Sequence, residues 1–408
     1  MRYLLLAIRA LLTVAAGGLA AIAGYLLLLT GAAVLGRGQA SPPAAAQRRR
    51  FALLVPAHNE ESTIGRLLAS TTALEYPASR CDVYVVADNC TDQTANIARA
   101  AGAHVEERFD QASRGKGYAL RWLLARLRER GARYDAYVVI DADTVVAPDL
   151  LSHLDAHFEA GSKVVQVYYT VLNVGESPLA ALRFAALAAL HYLRPLGRRY
   201  LGLSCGLKGN GMGFLAEVLE THGWEWFTLA EDVEFHLALV ADGLRVDFVP
   251  ETTVLADMPV TFAQAESQNE RWERGRIQML RERGLGLLLD GLRQRDPVRL
   301  DAIIEQLIPP LSVPVVLAGA VLGAGLLFRA RLASRLAAFS LAGQIGYLLT
   351  GLALVGAPWR VYRALAYAPA YIGWKVWLYG RSLAARGASA WVRTSRTPAT
   401  QADHAGTP

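Results

Sequence analysis

Tyr137-Val138-Val139-Ile140-Asp141-Ala142-Asp143 is the stretch whose reading decides the fold. Four apolar residues, two of them valine, predict a short strand buried on both faces. The strand stops on two carboxylates one residue apart. Upstream, Phe51–Val55, Val83–Ala87 and His104–Glu107 repeat the apolar strand pattern. Between them, Glu60–Thr72, Asp92–Ala100 and Tyr118–Arg130 carry apolar residues at helical spacing, as in Ile64, Leu67 and Leu68. Strands alternating with helices predict an α/β domain with a mostly parallel sheet and helices on both faces. Ligands of such sheets lie beyond the carboxyl ends of the strands. The polar clusters fall there: His58-Asn59-Glu60, Asp88-Asn89 and Asp141-Ala142-Asp143.

The chain has 408 residues, 53% of them hydrophobic, and the apolar excess sits near the start and in the last quarter. Tyr3–Leu35, broken by Arg9, is longer than the roughly 7–15 residue core of a signal peptide. It reads as a retained transmembrane helix, with Ala40 and Ala44–Ala46 keeping the cleavage alternative open. Gln47-Arg48-Arg49-Arg50 follows and places the next domain in the cytoplasm by the positive-inside rule. The expected division is 1–47 membrane helix and basic linker, 48–284 catalytic domain, 285–380 amphipathic and transmembrane helices, and 381–408 a cytoplasmic tail, disordered after Pro398. Within the domain, 177–196 reads as an interfacial helix with Arg194, Arg198 and Arg199 near headgroups. Pro309–Phe328, Leu336–Val355 and Tyr362–Tyr379 are candidate spans, near the roughly 20 residues a bilayer needs. A crossing by the first leaves Arg329, Arg331 and Arg335 outside, against the charge rule; a re-entrant segment, suggested by its prolines, removes the conflict. Both stay open.

Net charge is +6 and three cysteines show no paired spacing. The arginines gather beside apolar segments and no nucleic-acid motif is present, so the partners expected are membrane lipids rather than nucleic acid. Sparse cysteines fit a reducing compartment.

Sugar transfer from a nucleotide must neutralise a diphosphate leaving group and deprotonate an acceptor hydroxyl. Asp141 and Asp143 suit a hard divalent cation, Mg²⁺ or Mn²⁺, which takes oxygen ligands; a turn before a helix capped by Asp149 is the plainer alternative. Asp88 can accept hydrogen bonds from a base edge or make an Asx turn. Glu231-Asp232 opens a helix, where one carboxylate can act as general base or both can serve the helix dipole. Gln268, Arg271 and Trp272 fall on neighbouring helix faces: Arg271 can grip a diphosphate and Trp272 can stack on a sugar, or the helix is simply salt-bridged. Lys208-Gly209-Asn210-Gly211-Met212-Gly213 permits close backbone approach to a ligand, and Arg114-Gly115-Lys116-Gly117 offers cations and a helix N-terminus to phosphate. His153 and His157 lack a third metal ligand, and Cys205 lacks the elbow of a nucleophile.

Taken in order, Val55-Pro56-Ala57-His58-Asn59-Glu60-Glu61, Asp88-Asn89-Cys90-Thr91-Asp92, Gly115-Lys116-Gly117, Asp141-Ala142-Asp143, Glu231-Asp232 and Gln268…Arg271-Trp272 resemble the inverting family 2 glycosyltransferases with a GT-A fold. The resemblance is to the membrane-bound branch of cellulose and hyaluronan synthases, and more narrowly to bacterial exopolysaccharide-biosynthesis glycosyltransferases. It implies a GT-A domain flanked by transmembrane helices, in a multi-pass protein of the inner membrane with its catalytic domain in the cytoplasm. It implies that Pro56, Glu60, Asp88, Lys116 and Asp141 hold the donor, Asp141 and Asp143 the metal, and Asp232 is the base. Glu231, Gln268, Arg271 and Trp272 would shape the diphosphate and acceptor end. The activity implied is hexosyl or N-acetylhexosaminyl transfer from a UDP-sugar to a lipid-linked or glycan acceptor, alongside other polysaccharide-assembly proteins. Asn269, where synthases usually carry Gln or Arg, and the short membrane portion point away from processive polymerisation. A polyprenyl-phosphate glycosyltransferase and a catalytically silent export subunit are the alternatives.

Overall fold

A computed structural model describes residues 2–228 and 230–384; at Ser267, Gln268, Arg271, Arg283 and Ala384 it describes the backbone alone. Most of the expected 381–408 tail lies outside the described residues.

The chain opens with α1, Arg2–Gly36, a single helix of 35 residues. At 1.5 Å per residue it is about 52 Å long. β1 (Phe51–Ala57), α2 (Ile64–Thr72), β2 (Cys81–Asp88), α3 (Thr94–Ala100), β3 (His104–Arg108), α4 (Lys116–Glu129) and β4 (Ala136–Val139) follow, matching the sequence expectation to within a turn at each end. β1–β4 is the half of the sheet in which every pairing is parallel. Alternate residues of β1 feed two cores: Ala52 and Leu54 on one face, Phe51, Leu53 and Val55 on the other. That is why these strands are apolar throughout.

The second half departs from the expectation of a mostly parallel sheet. β5 (Thr144–Val146), α5 (Leu150–Glu159), β6 (Val164–Val171), α6 (Pro178–Leu187), α7 (Arg194–Tyr200), β7 (Met212–Leu215), α8 (Ala216–His222), α9 (Glu231–Ala241) and β8 (Val246–Ala256) complete an eight-stranded sheet of order β3-β2-β1-β4-β7-β6-β8-β5. β7 runs antiparallel to both β4 and β6, and β5 antiparallel to β8, so the sheet is mixed. Four-residue β7 and three-residue β5 are too short to announce themselves by periodicity. Gly211, just before β7, has φ 69°, and a Cβ there would run into Val167 and come within 2.8 Å of Val254. Gly211→Ala is therefore expected to lower stability by roughly 2 kcal/mol, read as a lower denaturation midpoint in detergent.

Segment 177–196 is an interior helix, not an interfacial one. Ser177 Oγ caps it by accepting from the Ala180 amide at 3.1 Å. From Leu179 to Arg199 no residue is exposed, the mark of a helix buried all round. Ala188–Leu193 forms a π-helical turn between α6 and α7. Gly197 lets α7 press against α1, since a Cβ there would strike the Leu29 carbonyl.

The C-terminal part is helical: α10 (Phe262–Met279), α11 (Leu285–Gln294), α12 (Pro297–Leu307), α13 (Ser312–Leu327), α14 (Arg331–Leu354), α15 (Trp359–Ala364) and α16 (Ala368–Ala384). α1 and α14 are long and apolar enough to cross a membrane; α12 and α13 pass that test together, bent by 71°. Tyr362–Tyr379 is not one helix but α15, a short 3-10 turn and α16, and Lys375 within it is buried against α10, donating to Asn269 at 2.8 Å. α1 packs along α14 and α7, and Arg9 Nε donates to the Phe328 carbonyl at 2.9 Å. The N-terminus of α1 and the α13–α14 turn thus share the end remote from the sheet. A buried network ties α1 to the domain: Arg198 pairs with Asp301 at 2.6 Å and Glu305 at 3.1 Å, and Tyr25 bridges Arg198 and Asp301.

Candidate functional site

The loops after β1 and β2 are knitted together before any ligand is considered. His58 Nδ1 lies 2.7 Å from the Asp88 carbonyl, the Thr91 amide donates to Asn59 Oδ1 at 2.8 Å, and the Glu60 amide donates to Thr94 Oγ1 at 2.7 Å. Asn59 and Asn89 both take positive φ, 55° and 53°, a conformation asparagine tolerates better than most residues. These turns leave Pro56, Glu60 and Asp88 at the rim of a cavity of about 770 Å³. Asp88 is 5% exposed, and its Oδ1 accepts from Arg108 Nη1 at 2.6 Å and Asn89 Nδ2 at 3.1 Å. Arg108 was not visible as a site residue: it ends a strand and looks like any surface arginine until the β2–β3 register sets it opposite Asp88.

Asp141 and Asp143 stand just past β4, in a turn clamped by fully buried Asn210. Its Oδ1 accepts from the Asp141 amide at 3.1 Å and its Nδ2 donates to Thr144 Oγ1 at 2.8 Å. Lys116 opens α4 after Gly115, whose φ of 125° suits glycine, and its Nζ donates to Asp141 Oδ1 at 2.5 Å and to the Gly209 carbonyl. Burial works against the Lys116 charge, but Asp141, Glu231 and Asp232 outweigh it and hold its pKa above the ordinary value. Gly117 is needed because a Cβ would collide with the Trp226 carbonyl.

Glu231 and Asp232 start α9, with Asp232 beside Gly209. Burial raises the Asp232 pKa; the Val233 amide, Lys116 and Lys208 oppose but do not cancel it. On α10, Trp272 lies under the Arg183 guanidinium, 5.0 Å from the ring centroid. Asn269 is fully buried, and its Oδ1 takes both Arg183 Nη1 at 2.9 Å and Lys375 Nζ at 2.8 Å. This short amide accommodates two cations where a longer side chain would displace them. The side chains of Gln268 and Arg271 lie outside the described residues.

Pro56, Glu60, Asp88, Lys116, Asp141, Asp143, Glu231, Asp232 and Trp272 all line the same cavity. It continues from these polar groups into an apolar half walled by α6, the π-turn, α13, α14 and α16, at residues such as Leu190, Val315, Leu348 and Ile372. Arg114, Gly115, Lys208 and Gly209 line it as well, whereas His153, His157 and Cys205 do not. His157 pairs with Glu251 at 3.2 Å and His153 with Asp149 at 3.4 Å, so the two histidines serve different partners. Cys205 is fully buried, with its thiol pKa pushed up by burial. Among the described residues no three His, Cys, Asp or Glu side chains form a ready metal cage.

A mixed sheet whose parallel half delivers paired carboxylates to the mouth of a deep cavity is the architecture of a GT-A sugar transferase. The chain belongs to the family described as Glycosyltransferase like family 2, which matches residues 48–275, and it is a glycosyltransferase of that family. Beta-monoglucosyldiacylglycerol synthase of Nostoc sp. is 28% identical over 234 residues, covering 55% of this chain and 48% of the relative. The probable glycosyltransferase YdaM of Bacillus subtilis is 25% identical over 239 residues, 55% of either chain. The chain therefore spans about half the length of these curated relatives. In fold it is similar to mannosyltransferase PcManGT from Pyrobaculum calidifontis, solved in complex with GDP-Man and Mn2+: TM-score 0.58 and 20% identity over 84% of this chain and 98% of that one.

Proposed function

We propose that this chain transfers a hexosyl or N-acetylhexosaminyl group, with inversion, from a UDP-sugar to a hydroxyl of a lipid-linked acceptor in exopolysaccharide or cell-envelope glycan synthesis. One observation carries the reading. The cavity that begins at the carboxylates ends among apolar helices, so a polar reacting group and a long alkyl chain fit into one continuous space. The relative named for a glucosyldiacylglycerol supports a lipid acceptor.

In this reading Pro56 and Glu60 border the nucleotide and Asp88, fixed by Arg108, meets the base. Asp141 and Asp143 fit a divalent ion in the way Mg²⁺ and Mn²⁺ prefer: one or two carboxylates, with substrate phosphates completing the shell. Bound there, the ion would stabilise charge on the departing diphosphate. Lys116 adds a second positive charge on the same side. Asp232 takes the acceptor proton, Glu231 orients the acceptor, and Trp272, backed by Arg183, forms the wall against which the sugar stacks. Gln268 and Arg271 complete the diphosphate end. Transfer is of single sugars.

α1 and α14 cross the inner membrane, α13 accompanies them, and the catalytic domain stays in the cytoplasm behind Arg48, Arg49 and Arg50. Exposed Tyr3, Leu11, Val14 and Leu327 face lipid. Arg2, Arg9, Arg329, Arg331 and Arg335 then gather at the far headgroup layer, where long arginine side chains reach water.

Two tests follow. Proton NMR of the first product formed should show the anomeric configuration opposite to that of the donor; retention rules out a single displacement by Asp232. Because burial raises the Asp232 pKa and the base must be ionised, the acid limb of the kcat/KM profile should lie above the range of an exposed aspartate, about 4. Activity is lost as pH falls through that raised value.

A further inference from the structure

Arg194 begins α7, lines the apolar half of the cavity and is only 4% exposed. Its Nε donates to Tyr347 Oη at 2.8 Å, and its guanidinium lies 5.4 Å from that ring centroid. No carboxylate among the described residues lies within ion-pair distance of it. Of the nearby carboxylates, Arg198 holds Asp301 and Glu305 and Lys208 holds Glu305 at 3.2 Å, while Glu305 Oε2 faces the same cavity with no hydrogen-bond partner among the described residues. The Nη groups of Arg194 make no hydrogen bond among the described residues. Glu305 feels the Arg194 charge without contacting it, so the guanidinium is buried without a direct ion pair, which is costly, and the open space next to it is the cavity.

Two further groups share this defect. Ser312 Oγ and Gln344 Oε1 are buried, line the same cavity and have no hydrogen-bond partner among the described residues. The amide of Gln344 is oriented by its neighbours: Nε2 donates to Ser340 Oγ at 2.9 Å, and Ser340 donates to the Leu19 carbonyl at 3.0 Å. Oε1 is the atom left over. Gln344 and Tyr347 are three residues apart on α14 and so share a face. One cation without an ion pair, one hydroxyl and one bare carbonyl oxygen thus line the same cavity, each left short of a partner that a ligand could supply.

We propose that Arg194, Ser312 and Gln344 form a second polar subsite that binds a phosphate group carried by the amphiphilic acceptor. Arg194 and Ser312 donate to its oxygens, and Gln344 Oε1 accepts from a protonated phosphate oxygen or a headgroup hydroxyl. The alkyl chain continues along Leu348 and Ile345. The proposal rests on the lipid-acceptor reading and narrows it to anionic lipids.

The test is equilibrium binding to the full chain in decyl maltoside, followed by intrinsic tryptophan fluorescence without any donor. The probes are dioctanoyl phosphatidic acid, dioctanoylglycerol and inorganic phosphate. The phosphatidic acid should bind about 10-fold or more tightly than the neutral lipid, inorganic phosphate should not displace it at equal concentration, and Arg194→Gln should erase the preference. UDP binding by the variant checks that it is folded; if it is not, Arg194→Lys decides, with a preference reduced at least about 3-fold. Equal binding of the two lipids, a preference that survives substitution, or displacement by inorganic phosphate overturns the proposal. Since no transfer is measured, a chain that binds phosphatidic acid selectively but transfers no sugar would contradict the transferase assignment of the acceptor, not the subsite.

Discussion

Asp232→Asn should lower kcat by about 10²–10⁴-fold while leaving donor affinity nearly unchanged, because positioned general bases contribute on that scale. That corresponds to roughly 3–5 kcal/mol of barrier at about 1.36 kcal/mol per tenfold. The substitution keeps the shape of a side chain packed beside Gly209 at the start of α9, so the loss is chemical rather than structural. Steady-state diphosphate release at saturating donor reads it directly. The comparison also separates the main reading from its nearest alternative. A phosphate acceptor is already ionised near neutral pH and needs no base, so a polyprenyl-phosphate transferase would lose far less than the 100-fold floor.

Asp143→Ala should abolish the divalent-ion dependence of turnover, with a fall of about 10²-fold or more. Asp141 also holds Lys116 at 2.5 Å, so its removal would free a buried lysine as well as a metal ligand. The measurement is a Mn²⁺ titration of activity and of Mn²⁺ binding by electron paramagnetic resonance, with UDP present. Wild type should lose activity on chelation and regain it with Mn²⁺; Asp143→Ala should stay near the chelated rate at all Mn²⁺ concentrations.

The parallel half of the domain was legible because its physics is local. β1, β2 and β4 are continuous apolar runs ending in polar residues, and the helices between them carry clear stripes. The mixed half was not, because the antiparallel placement of β7 follows from chain geometry around Gly209 and Gly211, not from any pattern in four residues. The same holds for 177–196. Arg194, Arg198 and Arg199 at its end look like headgroup contacts in sequence, yet Arg198 faces Asp301 and Glu305, more than a hundred residues further on, and Arg183 within it faces Asn269. Single motifs such as Asp141-Ala142-Asp143 each had a plainer reading as turn or cap, and their order along the chain gave them weight. Arg108 escaped notice, and Asn210 and Arg194 were read only as part of a glycine-rich stretch and as a headgroup contact, since their partners are set by register and by helix packing.

The most direct measurement of the central claim is transfer of radiolabelled sugar from a panel of nucleotide sugars, by the detergent-solubilised chain with Mn²⁺, partitioned between water and butanol with and without membrane lipid extract. Asp232-dependent label from a uridine donor should appear in the butanol phase, and only when lipid is supplied. Label that stays entirely in the aqueous phase, on a soluble acceptor and indifferent to lipid, would contradict it.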